Sequence, residues 1–212
     1  MVKLSSTEEE NTEFLSSLWD KYKYLFLLSL VLFGAGIVGW EKWSQNRLSN
    51  LQDSADMYES FIDSINNDDL DQKALADQII KEYPNTLYAD LVTFHLAKIS
   101  VEEEDLIQAE EYLRWVLKRH ESRWGSDFDP IETTARLRLA RVLIANNNSN
   151  KALEIIKDSK NMNSSLHEVK GDAEQKLGLY AEAKLSYLKA LESNQNQSVE
   201  AILKMKLANL DS

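Results

Sequence analysis

Cysteine is absent from this 212-residue chain, and only two Pro, six Gly and three His occur in it. Without thiols there is no disulfide scaffold, no thiolate metal site, no cysteine nucleophile and no lipid-modified N-terminal cysteine. So little Gly and Pro is incompatible with a turn-rich β-sandwich or barrel. Glycine-rich nucleotide-holding loops are equally hard to build from six residues. The formal charge of -11 argues against nucleic acid, because phosphate neutralisation needs clustered Lys and Arg. What is left is a helical chain of binding type, with the length of one anchored domain.

Against this acidic background, Tyr24 to Trp40 runs YLFLLSLVLFGAGIVGW without a charge. At 1.5 Å per residue it spans roughly 25 Å, and Trp19, Tyr22, Trp40 and Trp43 extend it as interfacial aromatic belts. Its Leu, Ile, Val and Phe side chains contribute roughly -3 to -6 kcal/mol to insertion, so the sequence predicts a transmembrane helix over 24–43. A cleaved signal peptide needs a basic leader, and Glu8, Glu9, Glu10, Glu13 and Asp20 make this one acidic. Gly34-Ala35-Gly36-Ile37-Val38-Gly39 matches a dinucleotide fingerprint formally, but that motif requires a preceding strand. Ser29, Ala35, Gly36 and Gly39 share one side of the helix and suit close helix packing in lipid; simple tolerance of glycine there is the alternative. Lys21 and Lys23 before the span balance Lys42 and Arg47 after it, so charge alone does not orient it. A short uncleaved leader before a single span favours the type II arrangement, N-terminus in the cytoplasm.

Beyond the span, Leu48, Leu51, Ala55, Tyr58, Ile62 and Ile65 keep helical spacing, which predicts that the helix continues out of the membrane. Helical patterns follow at about 70–83, 86–100, 105–120, 131–146, 150–158, 165–177, 179–193 and 199–210, with short polar joints such as Asn66-Asn67-Asp68. No stretch alternates with period two. The predicted organisation is all-α: a leader over 1–23, the transmembrane helix over 24–43 and an α-solenoid over 44–212.

Within the solenoid, Lys170 to Glu192 resembles a tetratricopeptide repeat, with Gly171 small in the first helix, Gly178-Leu179-Tyr180 at the turn, and Ala183, Tyr187 and Ala190 in the second helix. Ala140, Ala152 and Ile156 take the same roles one unit earlier, and Ala97, Ala109 and Leu113 one before that. The spacings, 43 from Ala97 to Ala140 and 31 from Ala140 to Gly171, are irregular around the usual ~34. The proline that ends a typical repeat is replaced by Gln195, and Trp124 to Pro130 lengthens the first unit.

His95, His120 and His167 lie far apart, and no HExxH, GxSxG, P-loop or Ser/Lys signature occurs. The run Glu102-Glu103-Glu104-Asp105 precedes a helix, where negative charge complements the dipole. No catalytic constellation, cofactor site or metal site is expected. A solenoid offers instead a concave face lined by first helices. The repeat register places Phe94, Lys98, Leu137, Arg141, Ile144, Glu168 and Asp172 there, with Lys98 and Arg141 equivalent and able to meet a carboxylate or an acidic helix. A solvated inner face without a ligand is the alternative.

Taken as a whole, the order of an acidic leader, FGAGIVGWEKW at Phe33–Trp43, RLRLARV at Arg136–Val142, GDAEQKLG at Gly171–Gly178 and MKLANL at Met205–Leu210 resembles the YfgM family, the ancillary subunits of the bacterial SecYEG translocon. The resemblance implies an inner-membrane protein with a periplasmic tetratricopeptide-like domain and no enzymatic activity. Implied partners are SecYEG, a membrane-anchored periplasmic chaperone of the prolyl-isomerase type and exported client proteins, with neither nucleic acid nor a small-molecule substrate. It also implies transfer of exported proteins to chaperones and a link to envelope-stress regulation. A scaffold for another envelope complex is the alternative function. A cysteine-free chain suits an oxidising periplasm.

Overall fold

The computed structural model describes residues 6–65, 71–121, 129–194 and 196–210. Among them it is all helix: α1 (Ser6–Ile65), α2 (Gln72–Glu82), α3 (Leu87–Glu102), α4 (Leu106–Glu121), α5 (Pro130–Ala145), α6 (Ser149–Lys157), α7 (Ser164–Lys176), α8 (Tyr180–Glu192) and α9 (Gln197–Leu210). Each helix predicted after the span is present, with ends within about two residues of expectation. The joint Asn66-Asn67-Asp68, residues 124–128 of the lengthened unit and Gln195 lie outside the described residues.

The chain divides into two units, Met1–Asp53 and Ser54–Ser212. The first is the greater part of α1. Among the described residues, α1 is the one helix long and apolar enough to cross a membrane. Leu25 to Val38 are exposed along it. The Ser29 hydroxyl is satisfied internally, donating to Phe26 O at 2.8 Å, which removes most of its cost in hydrocarbon. A Cβ added at Gly34, Gly36 or Gly39 would meet nothing within 4 Å.

The second unit begins with the last turns of α1. Their buried face carries Ser54, Phe61 and Ser64, while Ile62 and Ile65 are exposed. The apolar spacing thus gives the helix correctly and its buried face only in part. Phe61 wins because it packs with Ala76, Ile79, Val92 and Leu96, and its ring meets His95 edge-on at 5.3 Å.

Helix starts are fixed by side chains that accept from orphan N–H groups. Asp71 accepts from Ala74 N, Thr86 from Ala89 N and Asn163 from Leu166 N. Ends are fixed by one device used three times. Glu104, Asn147 and Gly178 have φ of 62°, 57° and 77°. In each case the next residue's N–H returns to a carbonyl five residues before it: Asp105 to Ser100, Asn148 to Leu143 and Leu179 to Glu174, at 2.8, 2.7 and 2.9 Å. This is the Schellman arrangement. It turns α3 back along α4, α5 along α6 and α7 along α8.

These turns keep step with the repeat register. Each left-handed residue follows Ala97, Ala140 or Gly171 by seven positions and precedes Ala109, Ala152 or Ala183 by five. Leu113, Ile156 and Tyr187 come four later, each at most 1% exposed. Small residues let paired helices approach, and the larger one fills the groove beside them. One core runs from α3 to α7, and a smaller one joins α8 to α9 through Tyr187, Ala190 and Leu203.

The longest unit is closed by buried charge. His120, 3% exposed, lies between Asp90 Oδ2 (3.0 Å from Nε2) and Asp129 Oδ2 (2.7 Å from Nδ1). Its two ring nitrogens thus bridge carboxylates from α3 and from the start of α5. Arg119 donates to Asp90 Oδ1 at 2.8 Å. Burial pushes the Asp129 carboxyl up, but hydrogen bonds from His120 and from the Glu132 and Ile131 N–H groups outweigh it and hold the carboxyl below its usual range. Arg136, 2% exposed, donates to Glu132 Oε1 at 2.7 Å and to Glu121 Oε1 at 3.3 Å. Asp129 and Glu121, on either side of 122–128, are thus both tied to the core.

Candidate protein-docking groove

The first helices α3 and α5 bring Phe94, Lys98 and Arg141 to one hollow of about 520 Å³. Its floor is apolar: Phe94, Ala97, Leu113 and Val142 line it, with Val101 at the edge. Its rim is cationic, formed by Lys98, Arg138 and Arg141. A smaller hollow of about 260 Å³ shares Phe94, Lys98 and Arg138 and continues past Leu91 and His95 to Tyr58 and Ile62. The two make one track along the face.

The cations face solvent. Lys98 and Arg141 side chains are 66% and 54% exposed. Lys98 pairs with Glu102 at 3.5 Å, a solvent-facing contact worth little. Arg141 reaches Glu168 only at 3.8 Å. Arg138 sits over the Phe94 ring, its Cζ 4.7 Å from the centroid, a contact that leaves the guanidinium charged. No carboxylate among the described residues comes within 4.0 Å of Arg138.

Leu137 and Ile144, placed on the concave face by register, are half-buried and packed against the main core. Glu168 and Asp172 are on α7 beside Arg141, but α9 claims them. Lys206 Nζ donates to Glu168 Oε1 at 2.8 Å and to Asp172 Oδ1 and Oδ2 at 2.7 and 2.8 Å. The Tyr187 hydroxyl donates to the same Asp172 Oδ1 at 2.7 Å, and burial among these carboxylates pushes that hydroxyl far above its ordinary pKa. The face is therefore divided into an open cationic part over α3 and α5 and a part over α7 whose two acids share one internal cation, Lys206.

Arg138 and Lys206 were not among the residues singled out from the sequence. Arg138 is the register equivalent of His95, one step from the apolar Leu137, and charge at that step carries no repeat signal. Lys206 belongs to a helix after the last repeat, so no register reaches it. Among the described residues, no group of three or more His, Asp or Glu side chains is arranged to hold a metal ion. His95 is held below its ordinary pKa by burial and by Lys98, against an opposing effect of Glu102. The hollow joins an apolar floor to a cationic rim.

A family model described as a tetratricopeptide repeat-like domain matches residues 16–212. The chain is similar end to end to a protein of Aggregatibacter actinomycetemcomitans named ancillary SecYEG translocon subunit, 28% identical over 206 residues that cover 96% of this chain and 97% of that one. A Haemophilus influenzae protein of the same name is 25% identical over 208 residues, covering 97% and 98%. No solved structure matches.

Proposed function

The chain belongs to the tetratricopeptide repeat-like domain family, and from that premise we propose that it is a membrane-anchored, non-enzymatic adaptor of the SecYEG translocon. In this reading α1 crosses the bacterial inner membrane once, with the N-terminus in the cytoplasm and residues from 44 onward in the periplasm. The solenoid receives a membrane-anchored chaperone of the prolyl-isomerase type and helps to pass exported proteins to it. Tethering beside the exit site raises the effective concentration of both partners. A contribution to envelope-stress regulation belongs to the same reading. The observation that carries it is the likeness over nearly the full length of two proteins named as ancillary translocon subunits. Ser29, Ala35, Gly36 and Gly39 form the face of α1 proposed to pack against translocon helices.

The test is mild-detergent purification of the tagged full-length protein from its native membrane, with partners identified by mass spectrometry. Recovery of translocon subunits together with a periplasmic chaperone is the expected result. Reproducible recovery of a different envelope complex without translocon subunits would make the chain a scaffold for that complex instead. Chaperone recovery unchanged in the Lys98→Glu/Arg141→Glu variant would remove the groove from the adaptor's mechanism.

A further inference from the structure

A partner that enters the hollow meets two chemistries at once. Below are Phe94, Ala97, Leu113 and Val142, which reward buried apolar side chains. Around them stand Lys98, Arg138 and Arg141, three cations on a chain whose formal charge is -11. Of the acids near the rim, Glu168 and Asp172 are engaged by Lys206, and Glu102 makes only a 3.5 Å solvent-facing contact with Lys98. Arg138 sits over the Phe94 ring. The smaller hollow lengthens the track toward Tyr58 and Ile62, which suits a segment with side chains entering at successive points.

We propose that this track is the docking site for an acidic amphipathic segment of a partner polypeptide, its apolar side chains seated over Phe94 and Val142 and its carboxylates on Lys98, Arg138 and Arg141. The proposal rests on the adaptor reading for the direction in which the face is used, and it specifies the partner's chemistry. Specificity comes from the cations and most of the adhesion from the floor. A basic segment with the same apolar face is rejected, because like charges meet at the rim.

The test uses full-length protein in a neutral detergent and two fluorescent synthetic peptides. Both are sixteen-residue amphipathic helix-formers (about the length of one repeat helix) with an identical Leu/Phe face; one carries Glu on its polar face and the other Lys. The Glu peptide is expected to bind saturably, to weaken with added salt, and to lose about tenfold or more in affinity in the Lys98→Gln/Arg138→Gln/Arg141→Gln variant. Val101→Glu, which sets a carboxylate beside the cationic rim, is expected to weaken it as well. Unchanged thermal unfolding of both variants shows that the fold is intact. Equal binding of both peptides, or affinity for the Glu peptide untouched by either variant, would overturn the proposal. The outcome separates from the adaptor reading. Translocon co-purification without Glu-peptide binding removes only the groove chemistry, and Glu-peptide binding without translocon partners supports the groove chemistry while removing only the adaptor.

Discussion

The ring of Tyr187 stands where a Cβ on Gly171 would have to go: such an atom would lie 2.5 Å from Tyr187 Cε1 and 2.6 Å from Cδ1. The ring has no room to yield, since it is fully buried and its hydroxyl is tied to Asp172. Gly171→Ala gains up to about 1 kcal/mol in helix propensity and loses about 1–3 kcal/mol to overpacking. A net loss of about 1 kcal/mol is expected, read by urea denaturation of the detergent-solubilised protein. Tyr187→Leu combined with Gly171→Ala should cost less than the sum of the two single variants, because the pair shares one contact. Strict additivity would contradict the packing described.

Glu104 is the one member of the three equivalent turns whose residue type resists its backbone. Asn147 tolerates a left-handed φ and Gly178 adopts it freely, but a glutamate does not. Glu104→Gly is therefore expected to raise stability by about 0.5–1 kcal/mol, whereas Gly178→Ala lowers it by about 1 kcal/mol. Paired thermal melts check both signs.

Mild acid should weaken the domain through its half-buried imidazoles, His95 and His167. Burial and Lys98 lower the pKa of His95, and Gln72 Nε2, 2.9 Å away, donates to its unprotonated Nε2. Burial, Lys189 and Lys170 lower that of His167. A folded-state pKa below the unfolded 6.5 means that the stabilising form is the neutral one. This contribution is complete above about pH 6.5 and is lost as pH falls below it. Melting temperature is expected to drop between pH 7 and pH 5.5, and the His95→Gln/His167→Gln variant to drop less. An equal drop in both proteins would contradict this linkage.

The absence of cysteine makes membrane orientation directly readable. A single thiol introduced as Ser198→Cys, at an exposed position of α9, should react with a membrane-impermeant maleimide in intact spheroplasts. Ser16→Cys, before the span, should react only after permeabilisation. The reverse pattern would place the solenoid on the cytoplasmic side.

Sequence spacing revealed the helices because short polar joints and small residues punctuate it, and the Ala97, Ala140 and Gly171 register survives in the structure. It revealed less of what each face meets. Phe61 rather than Ile62 is buried because tertiary contacts with α2 and α3, not periodicity, choose between neighbours on a helix. His120 read as an isolated histidine because its partners Asp90 and Asp129 lie 30 and 9 residues away. The concave face was half legible. Register placed Lys98 and Arg141 beside one hollow, yet the claim of Lys206 on Glu168 and Asp172 crosses 38 and 34 residues, and no local pattern encodes it.

The constant count inside each unit, seven positions from small residue to left-handed turn and five more to the next alanine, contrasts with the 43 and 31 residues between units. The hairpins behave as fixed tiles and the joints between them as grout. A foreign loop, an epitope or a binding peptide grafted between α4 and α5 or between α6 and α7 would leave every tile intact. The same graft between α5 and α6 would have to dismantle one.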